Sequence, residues 1–276
     1  MNDRRLAWVF VTPAIATIAL IAIFPLGWTF WESLHRHDLR MPWLGKPFIG
    51  LGHYMNIASD PRFWGAMGHT FFFTIASVSL ELLFGLFLAL AMHRAFRGRG
   101  AVRAAILVPW AIPTVVAALL WRFLFTAHGG ATWFTDANLA WIPVIVADVW
   151  KTTPFVALLL LAGLQNIPDD LREAAAVDGA TRVAQLRHVV LPLLRPAILV
   201  ALIFRTLDAF RVFDLVYVLT GGGPGTATEP IALYTFNTLF QNLRSGYAAA
   251  LSVVVFVVTF AIAIVYIRVL DPKELS

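Results

Sequence analysis

The chain has 276 residues, of which 59% are hydrophobic and 13% charged, with a mean hydropathy of +0.77. Those values exclude an ordinary soluble domain and point to a polytopic membrane protein. The net charge of +5 would suggest nucleic-acid binding only if the basic residues shared a soluble face, but they lie mostly in short loops between apolar runs. With no cysteine, disulfides, thiolate metal sites and thiol catalysis are excluded.

Arg4 and Arg5 precede an apolar run over residues 6–30. A secretory signal would have a shorter core, about 7–15 residues, ending in a small-residue cleavage site. This run is long enough to cross a ~30 Å hydrocarbon core, so it reads as a retained first span rather than a signal or twin-arginine leader. Residues 31–68 form a polar loop punctuated by proline and glycine, with Trp28, Trp31, Trp43 and Trp64 placed for a membrane interface.

Three further spans are expected at residues 69–92, 104–125 and 141–163. The short loop between the first two carries Arg94, Arg97, Arg99 and Arg103 and no acid, a cytoplasmic marker. Loop 126–140 has no lysine or arginine and should lie outside. The resulting alternation puts both termini in the cytoplasm. Pro109, Pro113 and Pro154 fall inside spans and should kink them.

Residues 170–180 are a small cytosolic device. Asp170 can cap a helix and Glu173 lies three residues on, a capping-box spacing. Ala174, Ala175 and Ala176 follow, strong helix formers with almost no bulk. Asp178 and Gly179 end the helix, since glycine takes a left-handed position at little cost. Thr181 can cap a second helix running through Leu186 and Val189 into Pro192 and Pro196. An alanine-faced knob of this kind can sit deep in a partner's groove.

At Glu173-Ala174-Ala175, Asp178-Gly179-Ala180, Leu191-Pro192 and Pro196 the chain resembles the EAA loop of membrane subunits from binding-protein-dependent ABC importers. The fifth and sixth spans are expected at residues 190–217 and 247–268. Loop 218–246 between them holds a Gly221–Gly225 hinge and a short helix over residues 231–243. Arg205 through Pro224, Ala147 to Gly163, Phe48 to Tyr54, and Tyr234-Thr235-Phe236-Asn237 also resemble sugar permeases of that family, of the maltose and trehalose type. The large periplasmic insertion of the enteric maltose subunit has no counterpart here.

Eight ionisable residues fall within expected spans: Glu81, Arg122, Asp148, Lys151, Arg205, Asp208, Arg211 and Asp214. Each would cost roughly 2.5–3.5 kcal/mol facing lipid at a helix centre, so they should face an interior or a wet cavity. Arg205, Asp208, Arg211 and Asp214 recur every three residues and can pair along one helix; Asp148 and Lys151 can do the same. A balanced, midway cavity open to the outside and sealed below by apolar side chains suits an uncharged, hydroxyl-rich ligand. Interhelical salt bridges that only fix packing are the alternative.

The lysines are Lys46, Lys151 and Lys273, and none ends a Walker A pattern. No metal-ligand cluster or catalytic motif is present; His35 and His37 read as solvated loop residues. The sequence therefore points to an all-α membrane protein of six spans, not an enzyme. The resemblance implies the type I ABC-importer transmembrane fold in a bacterial inner membrane. It further implies a second permease subunit, two ATPase subunits holding ATP and Mg, and an extracytoplasmic solute-binding protein. It assigns coupling to Glu173, Ala174, Ala175, Asp178 and Gly179. The charges within the spans, Glu81, Asp148, Lys151, Arg205, Asp208, Arg211 and Asp214, with Asn237 of the resembling stretch, are the expected sugar pathway. A glycerol phosphate cargo on the same architecture, or a self-sufficient secondary transporter, are the rival readings. The second leaves the cytosolic knob unexplained, and the six spans carry no inverted repeat.

Overall fold

A computed structural model describes residues 3–93, 98–130 and 132–269, all helical apart from connections and one isolated bridge between His35 and Phe48. Arg94 and Arg97 of the expected basic loop, and residues 270–276 of the tail, lie outside the described residues. Two compact units are formed, one from residues Met1–Phe63 and Tyr234–Val258, the other from Trp64–Leu233 and Thr259–Ser276.

In the first unit α1 (Asp3–Ile18), a π-helical turn (Ala19–Ile23) and α2 (Phe24–Ser33) run on as one rod. Pro25 removes the backbone donor that Ile21 would otherwise use, which accounts for the π turn beside it. None of the apolar window in Phe10–Ser33 is buried, so this rod faces something other than its own chain. A 3₁₀ turn (Pro42–Leu44) and α3 (Gly52–Ala58) follow in the loop. Asp60 then organises the unit. Its Oδ1 accepts from the backbone N–H of Arg62 at 2.9 Å, capping α4 (Pro61–His93), and its Oδ2 accepts from the hydroxyls of Tyr234 at 2.6 Å and Tyr247 at 2.8 Å. Burial alone would raise the Asp60 carboxyl; those hydroxyls and the Arg62 and Phe63 backbone N–H groups hold it below the usual range instead. The Tyr234 hydroxyl, buried against that carboxylate, is pushed up to about 12.

The second unit begins within α4, which runs through the expected boundary at residue 69. Trp64 to Gly68 are thus helical rather than loop. Arg103, on α5 (Arg99–Ala111), donates from Nη2 to the Met92 carbonyl at 2.8 Å and closes the C-terminal end of α4. The third span is not one kinked helix. α5 and α6 (Thr114–Gly129) meet at 92°, because Pro113 has no N–H to continue the ladder and holds Ile112 in an extended conformation. After α7 (Thr132–Thr135), α8 (Trp141–Gln165) is the central helix of this unit, packing against α5, α6 and the helices Leu191–Ala209 and Asp214–Leu219.

Next come α9 (Asp169–Val177), α10 (Arg182–Gln185), a π turn (Leu186–Val190) and α11 (Leu191–Ala209). The core is built from Ala89 and Met92 on α4, Val156, Leu160 and Leu164 on α8, and Val190, Leu194 and Ala201. A methyl on Gly163 would lie 2.5 Å from the Ala197 Cβ and 2.8 Å from Leu194, so α8 and α11 touch at a spot only glycine permits. α12 (Asp214–Leu219) follows, then α13 (Ile231–Phe236) with a π turn (Asn237–Gln241), and α14 (Ser245–Val269).

The fifth span therefore ends at Ala209, not at Tyr217. Phe213 has φ −139° and ψ −66°, and α12 starts afresh at Asp214. By length and composition five helices among the described residues could cross a membrane, and the bent α5–α6 pair counted as one span makes six.

Candidate functional site

Three helices of the second unit bring buried charges to one place. Glu81 on α4 is fully buried, Arg205 on α11 is 3% exposed and Asp148 on α8 is 8% exposed. Arg205 grips Glu81 with two parallel bonds, Nε to Oε2 at 2.5 Å and Nη2 to Oε1 at 2.8 Å, the planar fork that only arginine offers. Nη2 also donates to Asp148 at 3.2 Å and Nη1 to Asp208 at 2.5 Å. Thr152 donates to Glu81 at 2.7 Å, filling a further lone pair. The Arg205–Asp208 pair along α11 is as the spacing predicts. The expected Asp148–Lys151 pair is not: Asp148 is taken by Arg205, and Lys151 donates instead to the Trp110 carbonyl at 3.4 Å.

Above this cluster lies a cavity of about 670 Å³, within the usual range for small-molecule sites. Its charged lining consists of Asp148, Asp208 and Asp214 against Lys151, Arg205 and Arg211, three of each sign. Trp110 and Phe155 form one wall as a stacked pair, centroids 5.9 Å apart and 17° between planes, with Phe204 edge-on to Phe155.

Both helix breaks open onto this cavity. At the first, the Trp110 carbonyl at the end of α5 is free to take Lys151, and Thr114 begins α6. At the second, Arg211 returns its Nε to the Leu207 carbonyl at 3.2 Å and neutralises the α11 C-terminus, while Asp214 sits in the first turn of α12. Arg211 and Asp214 thus serve two helix ends rather than one continuous helical stripe, which corrects the every-third-residue expectation. Arg211 also stands 3.9 Å from Asp208. Nothing in Ala209–Asp214 marks the break, as the stretch contains no proline or glycine.

The remaining expected residues are elsewhere. Glu81 lies beneath the cavity and does not line it. Arg122 donates to the Val218 carbonyl at 3.1 Å and likewise does not line it. Asn237, buried on its π turn, belongs to the first unit.

The elbow is a separate exposed feature. α9 is capped by Pro168, with no side-chain cap, so Asp170 lies inside the first turn and no capping box with Glu173 forms. The reason is that the extended backbone at Pro168 starts the helix two residues earlier than the spacing suggests. At the other end Ala180 N–H donates to the Ala175 carbonyl at 2.9 Å and Gly179 N–H to Ala176 at 3.1 Å, the paired pattern of a Schellman turn, with Gly179 at φ +82°. Thr181 then caps α10 by accepting from the Ala184 N–H at 3.3 Å. Glu173, Ala174, Asp178 and Gly179 are exposed, Ala175 is half-buried, and Val177 is 88% exposed.

A helical chain that spans a membrane, encloses a balanced polar cavity between helix breaks and projects a rigid elbow is a transport protein. The chain belongs to the family described as binding-protein-dependent transport system inner membrane component, whose model matches residues 81–275. It is a multi-pass permease subunit of the inner membrane. It is 42% identical to the trehalose/maltose transport system permease protein MalF of Thermococcus litoralis, over 97% of this chain and 94% of that protein. It is 43% identical to the trehalose transport system permease protein SugA of Mycobacterium tuberculosis strain H37Rv, over 97% of this chain and 89% of that one. A chain of a bacterial alginate ABC transporter, crystallised with an alginate pentasaccharide-bound periplasmic protein, shares the fold. Its TM-score is 0.78 at 22% identity, over 95% of this chain and 92% of that chain.

Proposed function

We propose that the chain forms half of the translocation pathway of an ATP-driven importer for an uncharged carbohydrate, a disaccharide of the trehalose or maltose class. The observation that carries this reading is the cavity: three acids and three bases in balance beside the stacked Trp110–Phe155 wall. A sugar presents hydroxyls that both donate and accept, and a ring face of C–H groups that lies flat on an aromatic surface. A phosphate ester would call for an excess of positive charge, which this lining lacks.

The chain holds no nucleotide motif of its own, so the work comes from partner ATPase subunits that bind ATP and Mg. The exposed Glu173–Gly179 elbow is the part that seats in them. A second permease completes the pathway, and a solute-binding protein delivers cargo on the side of residues 31–68 and 218–246. Both termini lie in the cytoplasm. Closure of the ATPases pushes the elbow, and the direct contact of α8 with α11 at Gly163 carries that push into the bundle.

The test is reconstitution of the full complex in liposomes with its binding protein, comparing uptake of labelled trehalose, maltose and glycerol 3-phosphate. ATP-dependent uptake of a disaccharide is expected. Uptake of the phosphate ester alone would overturn the cargo, and uptake without ATPase subunits would overturn the architecture.

A further inference from the structure

A second cavity, of about 520 Å³, lies in the first unit and has no part in the pathway described above. Its lining carries Arg36, His37, Asp38, Arg40, His53 and Arg244. Three of these groups are already committed. Arg40 holds Asp38 through Nε at 2.9 Å and Nη2 at 2.6 Å, which keeps that carboxyl at about 2; His37 is paired with the carboxylate of Glu32. Arg36 and Arg244 have no acid within ion-pair distance among the described residues. The Arg244 guanidinium is instead steadied over the Tyr247 ring, 4.5 Å from its centroid.

His53 lines the same cavity but offers it no reachable polar atom. It is 93% buried, and its Nε2 bonds the His35 carbonyl at 3.1 Å, yet its Nδ1 has no partner. Burial, helped by the charges of Arg244 and Arg36, pulls the ring below its ordinary value, so it is neutral and Nδ1 is an acceptor. Arg36 is exposed and Arg244 half-buried, so with His53 neutral both guanidiniums remain open to the cavity. A ligand that matches them carries a negative charge.

The position says where that group comes from. The first span ends at Ser33, three residues before Arg36, and the last begins at Ser245, one residue after Arg244. Both cations therefore stand at the depth of lipid headgroups. An aromatic ladder marks the same level: Trp28 to Trp31 at 5.2 Å, Trp31 to His35 at 4.0 Å, His35 to Phe48 at 5.4 Å. Such ladders lie at membrane–water boundaries. Leu51 and Met55, on the exposed side of α3, add apolar surface next to it.

We propose that this cavity holds the headgroup of an anionic phospholipid, with its phosphate between Arg36 and Arg244. A zwitterionic headgroup would bring an ammonium against two guanidiniums and is disfavoured.

The assay uses the whole transporter complex in nanodiscs containing equal phosphatidylglycerol and phosphatidylethanolamine. Lipids retained after stepwise delipidation are counted by native mass spectrometry. Wild type should retain phosphatidylglycerol preferentially, and Arg36→Gln with Arg244→Gln should cut that preference about thirtyfold, since each basic group near a membrane surface contributes about fivefold. Arg40→Gln should leave the preference largely in place. Equal retention in wild type and the double variant overturns the proposal. So does displacement of the lipid by inorganic phosphate at millimolar concentration, which would make the site one for a soluble anion. Loss of binding-protein docking with lipid retention unchanged would assign the cavity to a protein carboxylate and overturn it as well. Should the double variant fail to assemble, hydrogen exchange of wild-type residues 34–41 decides. Slower exchange in phosphatidylglycerol than in phosphatidylethanolamine supports the site, and identical exchange refutes it.

Discussion

Replacing Arg205 by methionine is the sharpest probe of what holds the second unit together. Methionine keeps most of the volume and removes the guanidinium. Glu81, fully buried, then loses both bonds of the fork, and Asp148 loses its contact at 3.2 Å. Breaking a buried pair from one side costs about 3–5 kcal/mol, because the other charge stays behind without compensation. The Asp208 contact adds little to that figure, since its side chain is 63% exposed and screened by water. For a chain of this size the loss corresponds to a drop in Tm of about 6–20 °C. Arg205→Lys should fall between, as an ammonium keeps the charge but cannot make the two parallel bonds. The double variant Glu81→Gln with Arg205→Met should lose at least about 1 kcal/mol less than the two single changes added together. Thermal unfolding of the detergent-solubilised complex, followed by tryptophan fluorescence, reads all four proteins. A single-variant shift below about 2 °C, or strict additivity in the double, would refute the buried ion cluster as a structural anchor.

Asp208→Asn and Lys151→Met should abolish sugar uptake while leaving Tm and assembly with the ATPases nearly unchanged; normal uptake in both would empty the cavity of its role. Gly179→Asp should cost about 1–2 kcal/mol locally, because φ +82° disfavours any side chain even though the space around it is open. In that variant ATP hydrolysis should persist while uptake fails, measured on the same proteoliposomes. Asp60→Ala should destabilise by about 1–3 kcal/mol through the lost cap and two stranded tyrosine hydroxyls, and Asp60→Asn by less. Because the Asp60 carboxyl is held below its ordinary value, its contribution is complete above about pH 4 and fades as pH falls through the lowered value, so the Asn variant should flatten the acid limb of a stability profile.

Some of this was legible from residue order alone. Long apolar runs announce spans whatever their neighbours do, and Gly179 with Thr181 spells a turn in purely local terms. The helix breaks were harder. Pro113 signals a disturbance, but whether a proline kinks a helix or turns the chain through 92° depends on what packs beyond it. At Phe210–Phe213 no residue type marks the stop of α11. Pairing failed in the same way: local spacing favours Asp148 with Lys151, yet Arg205, more than fifty residues on, reaches Asp148 because α8 and α11 touch at Gly163. Asp170 has the side chain of a cap, but the extended Pro168 starts the helix ahead of it.

The wall of the polar chamber is partly main chain. Lys151 bonds the Trp110 carbonyl, an acceptor exposed only because the chain turns away at Pro113. Such an acceptor cannot be mutated away, whatever side chain stands at position 110. On the pathway proposed above, cargo preference would drift through the aromatic and charged side chains around this one fixed point, and a scan of side chains alone would leave it unseen.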